Sequence, residues 1–311
     1  MRVFVAGASG AIGRPLIPKL VAAGHDVTGT TRSEAKAEDV RRAGASAAVV
    51  DVFDADALRV AVERAGAEVV VHELTALPER VDFRKEDVYA ATNRCRSEGT
   101  RNLLDAARAA GTRRFVSQSI AFAYRPEGAR VKSEEEPLLD AAPGGFGSAM
   151  AALREMESSV LGAEGIDGLV LRYGLFYGPG TYYAGDGSTV ADVRRRRLPI
   201  VGKGSGVFSF IHVDDAADAT VAAVERGAPG IYNVTDDDPA PMSEWVAVLA
   251  HAAGAKPPRR VPAWAARLIA GKGAADFALE LRGASNEKAK RELGWRPAHP
   301  SWRAGFAESL R

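Results

Sequence analysis

Short β-branched runs alternate with amphipathic stretches through the first two-thirds of the chain, and this alternation predicts its architecture. Arg2–Ala6, Asp26–Thr30, Ala47–Val50, Glu68–His72, Arg114–Ser117 and Gly168–Arg172 read as buried strands. Between them lie segments of helical spacing that close on glycine: Leu16 to Gly24, Val40 to Gly44, Leu58 to Gly66 and Asn102 to Gly111. Strand–helix–strand repetition requires parallel strands joined by crossovers, so the expected fold class is α/β, a doubly wound parallel sheet covered on both faces. After Arg172 the rhythm gives way to Gly/Tyr/Pro-rich loops up to about Gly206. It resumes with a strand Phe208–Ile211, a helix Asp214–Glu225 and a strand Ile231–Val234. From Pro239 onward the pattern is helical, with caps expected at Ser243 and Asn286 and helix stops at Gly254 and Gly294. The expected division is a sheet domain over 1–172, completed by 207–235, and a smaller, mainly helical lobe over 173–206 and 236–311.

Chemistry first shows in the turn after the first strand. Gly7-Ala8-Ser9-Gly10-Ala11-Ile12-Gly13 opens the first helix, where unpaired amides and the positive end of the helix suit a pyrophosphate. In this reading Gly7 permits the turn, Gly10 removes the Cβ that would block the phosphates, and Gly13 lets helix and strand approach. A dinucleotide is the expected cofactor and the sheet is Rossmann-like. The end of the second strand decides which dinucleotide: an acidic residue would bind the ribose hydroxyls, but the chain has Thr31-Arg32-Ser33. A guanidinium with adjacent hydroxyls suits the 2′-phosphate, so NADP(H) is expected in preference to NAD(H).

Composition narrows the partners. In 311 residues, 41 Lys+Arg against 40 Asp+Glu leave no global field for a polyanion, so nucleic acid is not an expected partner. The single cysteine, Cys95, cannot form an intrachain disulfide, and no Cys/His cluster has metal-ligand spacing, so a reducing cytoplasm and no metal are expected. No apolar stretch approaches the roughly 20 residues of a spanning helix, and no membrane association is expected.

Several separated motifs together resemble the extended short-chain dehydrogenase/reductase superfamily and, within it, the NAD-dependent epimerase/dehydratase family. Beyond the glycine loop these are Thr92-Asn93 before a helix with Asn102-Leu-Leu-Asp-Ala-Ala107, then Arg114-Phe-Val-Ser-Gln-Ser119. Leu171-Arg-Tyr-Gly-Leu-Phe-Tyr-Gly-Pro-Gly180, Phe210-Ile-His-Val-Asp-Asp-Ala216, Gly230-Ile-Tyr-Asn-Val234 and Glu292-Leu-Gly-Trp-Arg-Pro297 complete the set. The resemblance implies a Rossmann domain, a C-terminal substrate lobe and a homodimer. It also implies that Asp51 and Val52 contact the adenine, and that Leu74, Thr75 and Leu175 line the cofactor.

The resemblance fails where the family's chemistry resides. A Tyr-x-x-x-Lys pair is expected at a helix start, but the chain reads Gly145-Phe146-Gly-Ser-Ala-Met150, and none of its seven tyrosines has a lysine four residues later. The serine of the preceding strand falls at Ile120. Ser119, Tyr124 and Glu73 are the substitute candidates, as carbonyl polariser, proton donor and base respectively; Arg154 is a further candidate for the lost positive charge. Nucleotide-sugar relatives place an arginine where this chain has Phe208, so Phe146, Tyr177 and Phe208 are expected to hold a small, apolar substrate. Arg194–Arg197 reads as a solvated helix edge or as a grip for an anion, and His212 with Asp214 and Asp215 as a structural joint. The reading is an NAD(P)-dependent oxidoreductase or isomerase with a non-standard acid/base. A non-catalytic NADP(H) sensor and a nucleotide-sugar epimerase/dehydratase are the alternatives.

Overall fold

The computed structural model describes residues 1–82, 85, 87–140 and 145–310. Its centre is one parallel sheet of β1 (Arg2–Ala6), β2 (Asp26–Thr31), β3 (Ser46–Val49), β4 (Val69–His72), β5 (Arg114–Ile120), β6 (Asp167–Tyr173) and β7 (Gly230–Val234). The strand order is β7-β6-β5-β4-β1-β2-β3. The crossovers are α1 (Gly13–Ala22), α2 (Glu34–Arg42) and α3 (Ala55–Ala65), then α4 (Ala90–Arg94), which passes through a π-turn at Cys95–Gly99 into α5 (Thr100–Ala109). They continue with α6 (Gly145–Leu161), α7 (Ser188–Arg194) and α8 (Val213–Glu225).

Alternation along the strands explains the two layers. Val3, Val5, Val71, Leu169 and Leu171 are buried with residues of α1 and α8, whereas Phe4, Val70, Phe115 and Val170 are buried with residues of α3 and α5. The strand order reverses between β1 and β4, and the C-terminal ends of those strands deliver the glycine loop and residues 73–77 into one crevice.

The C-terminal part is mainly helical: α9 (Met242–Ala252), α10 (Ala263–Ala270), α11 (Lys272–Glu280), α12 (Glu287–Glu292) and α13 (Trp302–Ser309). Phe208, Phe210, Trp245, Trp302 and Phe306 form its aromatic core. Trp264 instead lies 67% exposed on α10. Among the described residues no helix is long and apolar enough to cross a membrane.

Three local expectations change. The strand foreseen at Phe208–Ile211 is broken at Ser209, whose Oγ accepts from the Ala284 amide at 2.9 Å. Val207–Phe208 then pairs with Ala240–Pro241, and Phe210–His212 with Leu175–Tyr177. Ser243 does not cap α9, which starts one residue earlier after Pro241. Asn286 does occupy the N-cap position of α12, but its side chain donates to Thr235 O and Asp237, both at 2.7 Å, and so ties down the exit of β7. Gly254 and Gly294 adopt the positive φ expected of helix stops.

Candidate active site

The glycine loop has the shape of a phosphate cradle. Gly7 turns with φ of 101°, and a Cβ there would lie 2.7 Å from the Glu73 carbonyl oxygen. A Cβ on Gly13 would strike Gly7 O at 2.2 Å. Gly10 is exposed at the loop's crest, between half-buried Ser9 and Ala11, with buried Ile12 anchoring the turn below. Bare backbone at a helix start fits a dinucleotide pyrophosphate. At the end of β2, Arg32 is exposed and forms no ion pair with a described residue, and the Ser33 amide donates to Thr31 Oγ1. Asp51 Oδ1 accepts from the Phe53 amide at 3.0 Å, while Val52 is buried and its carbonyl accepts from Asn102. Leu74 is half-buried, its amide bonded to His72 Nδ1; Thr75 is exposed, and Leu175 is half-buried beside Ser209.

The positions that should carry the family's serine, tyrosine and lysine form an apolar cluster instead, with Met150 fully buried. Ile120, Phe146 and Met150 belong to one hydrophobic cluster with Ala121, Leu153 and Met156. Aromatic rings extend it: Phe146 meets Tyr89 and Phe277, and Phe277 also meets Phe122 and Phe208, with centroids 5.5–6.4 Å apart. Phe277, on α11, is the lobe's contribution to this wall and was not singled out in the sequence.

The three candidate catalytic residues do not meet. Ser119 shares its strand face with Ser117, so it points at α6, where its Oγ donates to Glu157 Oε1 at 2.5 Å. Glu157 is held bidentately by Arg172 at 2.6 and 2.9 Å. Arg172 also donates to the Tyr124 hydroxyl at 3.0 Å, which in turn donates to Asn233 Oδ1 at 2.7 Å. Burial pushes Tyr124 up to about 12. Both hydroxyls are therefore engaged in a buried network beneath the crevice, in which Asn233 Nδ2 has no partner among the described residues, and this geometry does not favour the carbonyl-polarising role expected of Ser119 or the proton-donor role expected of Tyr124. Arg154 is likewise spent, bonded to the carbonyls of Leu139 and Asp140.

Glu73 differs. It projects to the opposite face of the sheet, 5% exposed, and burial raises its carboxyl to about 8, the Tyr173 hydroxyl partly offsetting this. Tyr173 OH donates to Glu73 Oε1 at 3.1 Å and lies 2.6 Å from Thr220 Oγ1, which donates to Ala216 O at 2.7 Å. Glu73 Oε2 has no partner among the described residues, nor does Nε2 of Gln118, the next residue after the His72–Ser117 pair on the adjoining strand.

A stability slope follows. Glu73 binds its proton more tightly in the folded state, so its contribution is complete below about pH 4.5 and is lost as pH rises through about 8. His72, which burial holds down to about 4, acts in the opposite sense below about pH 6.5. Between pH 6.5 and 8 the His72 effect is absent, and since burial also raises Asp236, the comparison with Glu73→Gln isolates the Glu73 part. Denaturant titrations there should show stability falling with pH in the wild type and a flatter profile in Glu73→Gln; parallel profiles would refute the assignment.

Two substrate candidates are also relocated. Tyr177 is fully buried against His212 and Phe306, in the lobe core and not in the crevice. Phe208 is 2% exposed and packs on Trp245, reaching the crevice wall through Phe277. Arg194–Arg197 closes α7, with Arg194 bonded to Gly185 O and Arg196 at φ of 54°. His212 caps α8 and stacks on His299 at 4.0 Å, and the described residues contain no metal-holding group of acids, cysteines and histidines. A surface depression of about 620 Å³ beside Arg154, Glu157 and Arg172 shares no lining residue with the glycine loop or the aromatic wall.

Residues 3–235 match the NAD dependent epimerase/dehydratase family. The chain belongs to that family. It is 47% identical over 98% of its length to the 3-diazoavenalumate denitrifying reductase of a Streptomyces species, covering 99% of that protein. A ketoreductase of Stigmatella aurantiaca acting on a farnesylated dihydroquinoline oxide is 28% identical, with 95% and 92% of the two chains covered. In structure the chain resembles the UDP-glucose 4-epimerase of Thermus thermophilus in complex with NAD, with a TM-score of 0.75, 27% identity and 100% and 98% coverage. This member of the family is an enzyme, an NAD(P)-dependent oxidoreductase of the extended short-chain type.

Proposed function

We propose that this family member is an NADP(H)-linked reductase that strips dinitrogen from a small aromatic diazo compound, the chemistry named for its Streptomyces relative. The observation that carries the reading is the apolar cluster of Ile120, Phe146 and Met150, where a proton donor would stand. A reduced dinucleotide, when bound, supplies a hydride. On an aryl diazonium cation that hydride forms the new C–H bond while the C–N bond breaks and its electron pair leaves with N2. Anion and cation cancel, so the reaction balances without a proton, and a site without Tyr and Lys suffices. The chain's part is to bind and exclude water: the glycine loop holds the pyrophosphate, and Phe122, Phe146 and Phe277 contact the ring of the substrate. An apolar wall also shields so reactive a cation from hydrolysis.

The test is turnover of benzenediazonium with NADPH deuterated at the transferring position. Benzene carrying one deuterium, with N2 released in step with NADPH loss, is expected. Deuterium-free benzene, or NADPH loss no faster than without the protein, would sink the reading. Phe146→Tyr should stay within about tenfold of the wild type, since no acid is needed.

A second reading is favoured by Glu73 alone. A carbonyl reduction needs one proton after the hydride, and a carboxyl protonated near neutrality with one unpartnered oxygen is equipped to give it. Glu73→Gln separates the two: ketone reduction falls by about 10² to 10⁴, whereas N2 release is unchanged.

Cofactor preference rests on Arg32, exposed and without an ion pair among the described residues. NADPH should bind more tightly than NADH. Thr31→Asp should reverse the order by repelling the 2′-phosphate and accepting from the ribose. Equal affinities in the unaltered protein, measured calorimetrically, would exclude the preference.

A further inference from the structure

Arg96 is a half-buried guanidinium with no hydrogen-bond or ion-pair partner among the described residues. It sits in the π-turn between α4 and α5, an insertion that rotates one residue out of helical register. The π-turn packs against α5 and α6. The Arg96 charge is felt at His72 on the end of β4, at Tyr89 before α4, and at Glu157 on the inner face of α6. The same helix is tied to the first turn of α6 by Asn93 Nδ2 donating to Ser148 Oγ at 3.2 Å, and Tyr89 rests against Phe146. Arg96 therefore lies beside the Phe146–Met150 end of the crevice.

No neighbour neutralises it. Both oxygens of Glu157 are engaged by Arg172, and one of them also by Ser119. His72 is held neutral at about 4, and burial pushes Tyr89 up to about 12 and raises the Cys95 thiol. No hydrogen bond or ion pair joins the Arg96 guanidinium to any described residue, and burial lowers its pKa to about 10. A half-buried cation without a protein partner is free to take an anion, and a forked guanidinium is shaped for a carboxylate. On the cofactor reading above, the dinucleotide's phosphates have other partners in the glycine loop and Arg32.

From this arrangement we infer that Arg96 binds a carboxylate of the substrate, fixing an otherwise apolar aromatic acid with its ring against Phe146 and Phe277. The inference rests on the reductase reading for the ring and adds one anionic group to the small, apolar substrate expected from the sequence. It makes Arg96 a specificity-determining residue.

The experiment measures binding and not turnover. Cinnamate and its neutral isostere cinnamamide are titrated calorimetrically into the full chain saturated with NADP+. The wild type should prefer cinnamate by about tenfold to a hundredfold, as for a charged hydrogen bond. Arg96→Met should abolish that preference without altering cinnamamide affinity, and Arg96→Lys should restore part of it. NADP+ affinity should stay within about twofold in both variants. A wild type that binds the acid no better than the amide overturns the proposal, as does a preference that survives in Arg96→Met. A loss that falls on NADP+ assigns the guanidinium to a cofactor phosphate and overturns it equally. If benzenediazonium is not reduced while the acid preference obeys Arg96, the reductase reading fails and the carboxylate site stands.

Discussion

Arg172→Met is expected to destabilise the protein by about 3–5 kcal/mol, a fall in unfolding midpoint of roughly 10 °C. The substitution nearly keeps the volume but leaves Glu157, itself 5% exposed, as a buried carboxylate whose one remaining hydrogen bond comes from Ser119. Two well-formed bonds at 2.6 and 2.9 Å are lost at once, and Tyr124 loses one of its two partners. The paired variant Glu157→Leu with Arg172→Met should recover at least half of the loss, because removing both charges removes the unpaired one. Thermal unfolding of the wild type and both variants checks this. A single variant within about 1 kcal/mol of the wild type would show that water reaches Glu157 and that the network is not sealed.

Gly13→Ala should abolish dinucleotide binding, with affinity down by roughly a hundredfold or more. The added methyl would lie 2.2 Å from Gly7 O and 2.6 Å from the Ala8 carbonyl carbon. These are backbone atoms of the loop, so relief requires the loop itself to move, and with it the amides at the start of α1. Gly24→Ala is the control. It carries φ of 83° but nothing lies within 4 Å of its would-be Cβ, so it should cost about 1 kcal/mol of backbone strain and leave affinity alone. Fluorescence titration with NADPH distinguishes the two outcomes; equal effects at both glycines would remove the close-packing argument.

Much of the sheet was legible because its strands are buried on both faces, which leaves valine-rich runs such as Val69–His72 that no exposed segment would tolerate. The glycine loop was legible because a tight turn before a helix restricts the residue type at Gly7 and Gly13. The side-chain neighbourhoods were harder. An aromatic residue after a loop has the same sequence signature whether it lines a crevice or fills a core, and Tyr177 fills the core. Ser119 carries a usable signal in the sequence: strand alternation puts it with Ser117 and opposite Ile120, so the two successive positions cannot both face the crevice. Arg96, Gln118 and Phe277 acquire meaning only from neighbours far away in the chain, and Arg96 further depends on a π-turn that helical periodicity does not announce.

The strand order also governs how this protein can be made and cut. β6 lies between β5 and β7, yet β7 arrives some sixty residues later in sequence, after α7, α8 and the intervening loops. A nascent chain released at residue 206 would hold β6 as a raw edge, with the amides and carbonyls of Leu169 to Tyr173 unpaired on one side. It would also lack α8, leaving Leu169, Leu171 and Tyr173 uncovered. The nucleotide-binding half is therefore not an excisable module: a truncated fragment ending before β7 should aggregate, and any split or fusion of the chain has to preserve Gly230–Val234.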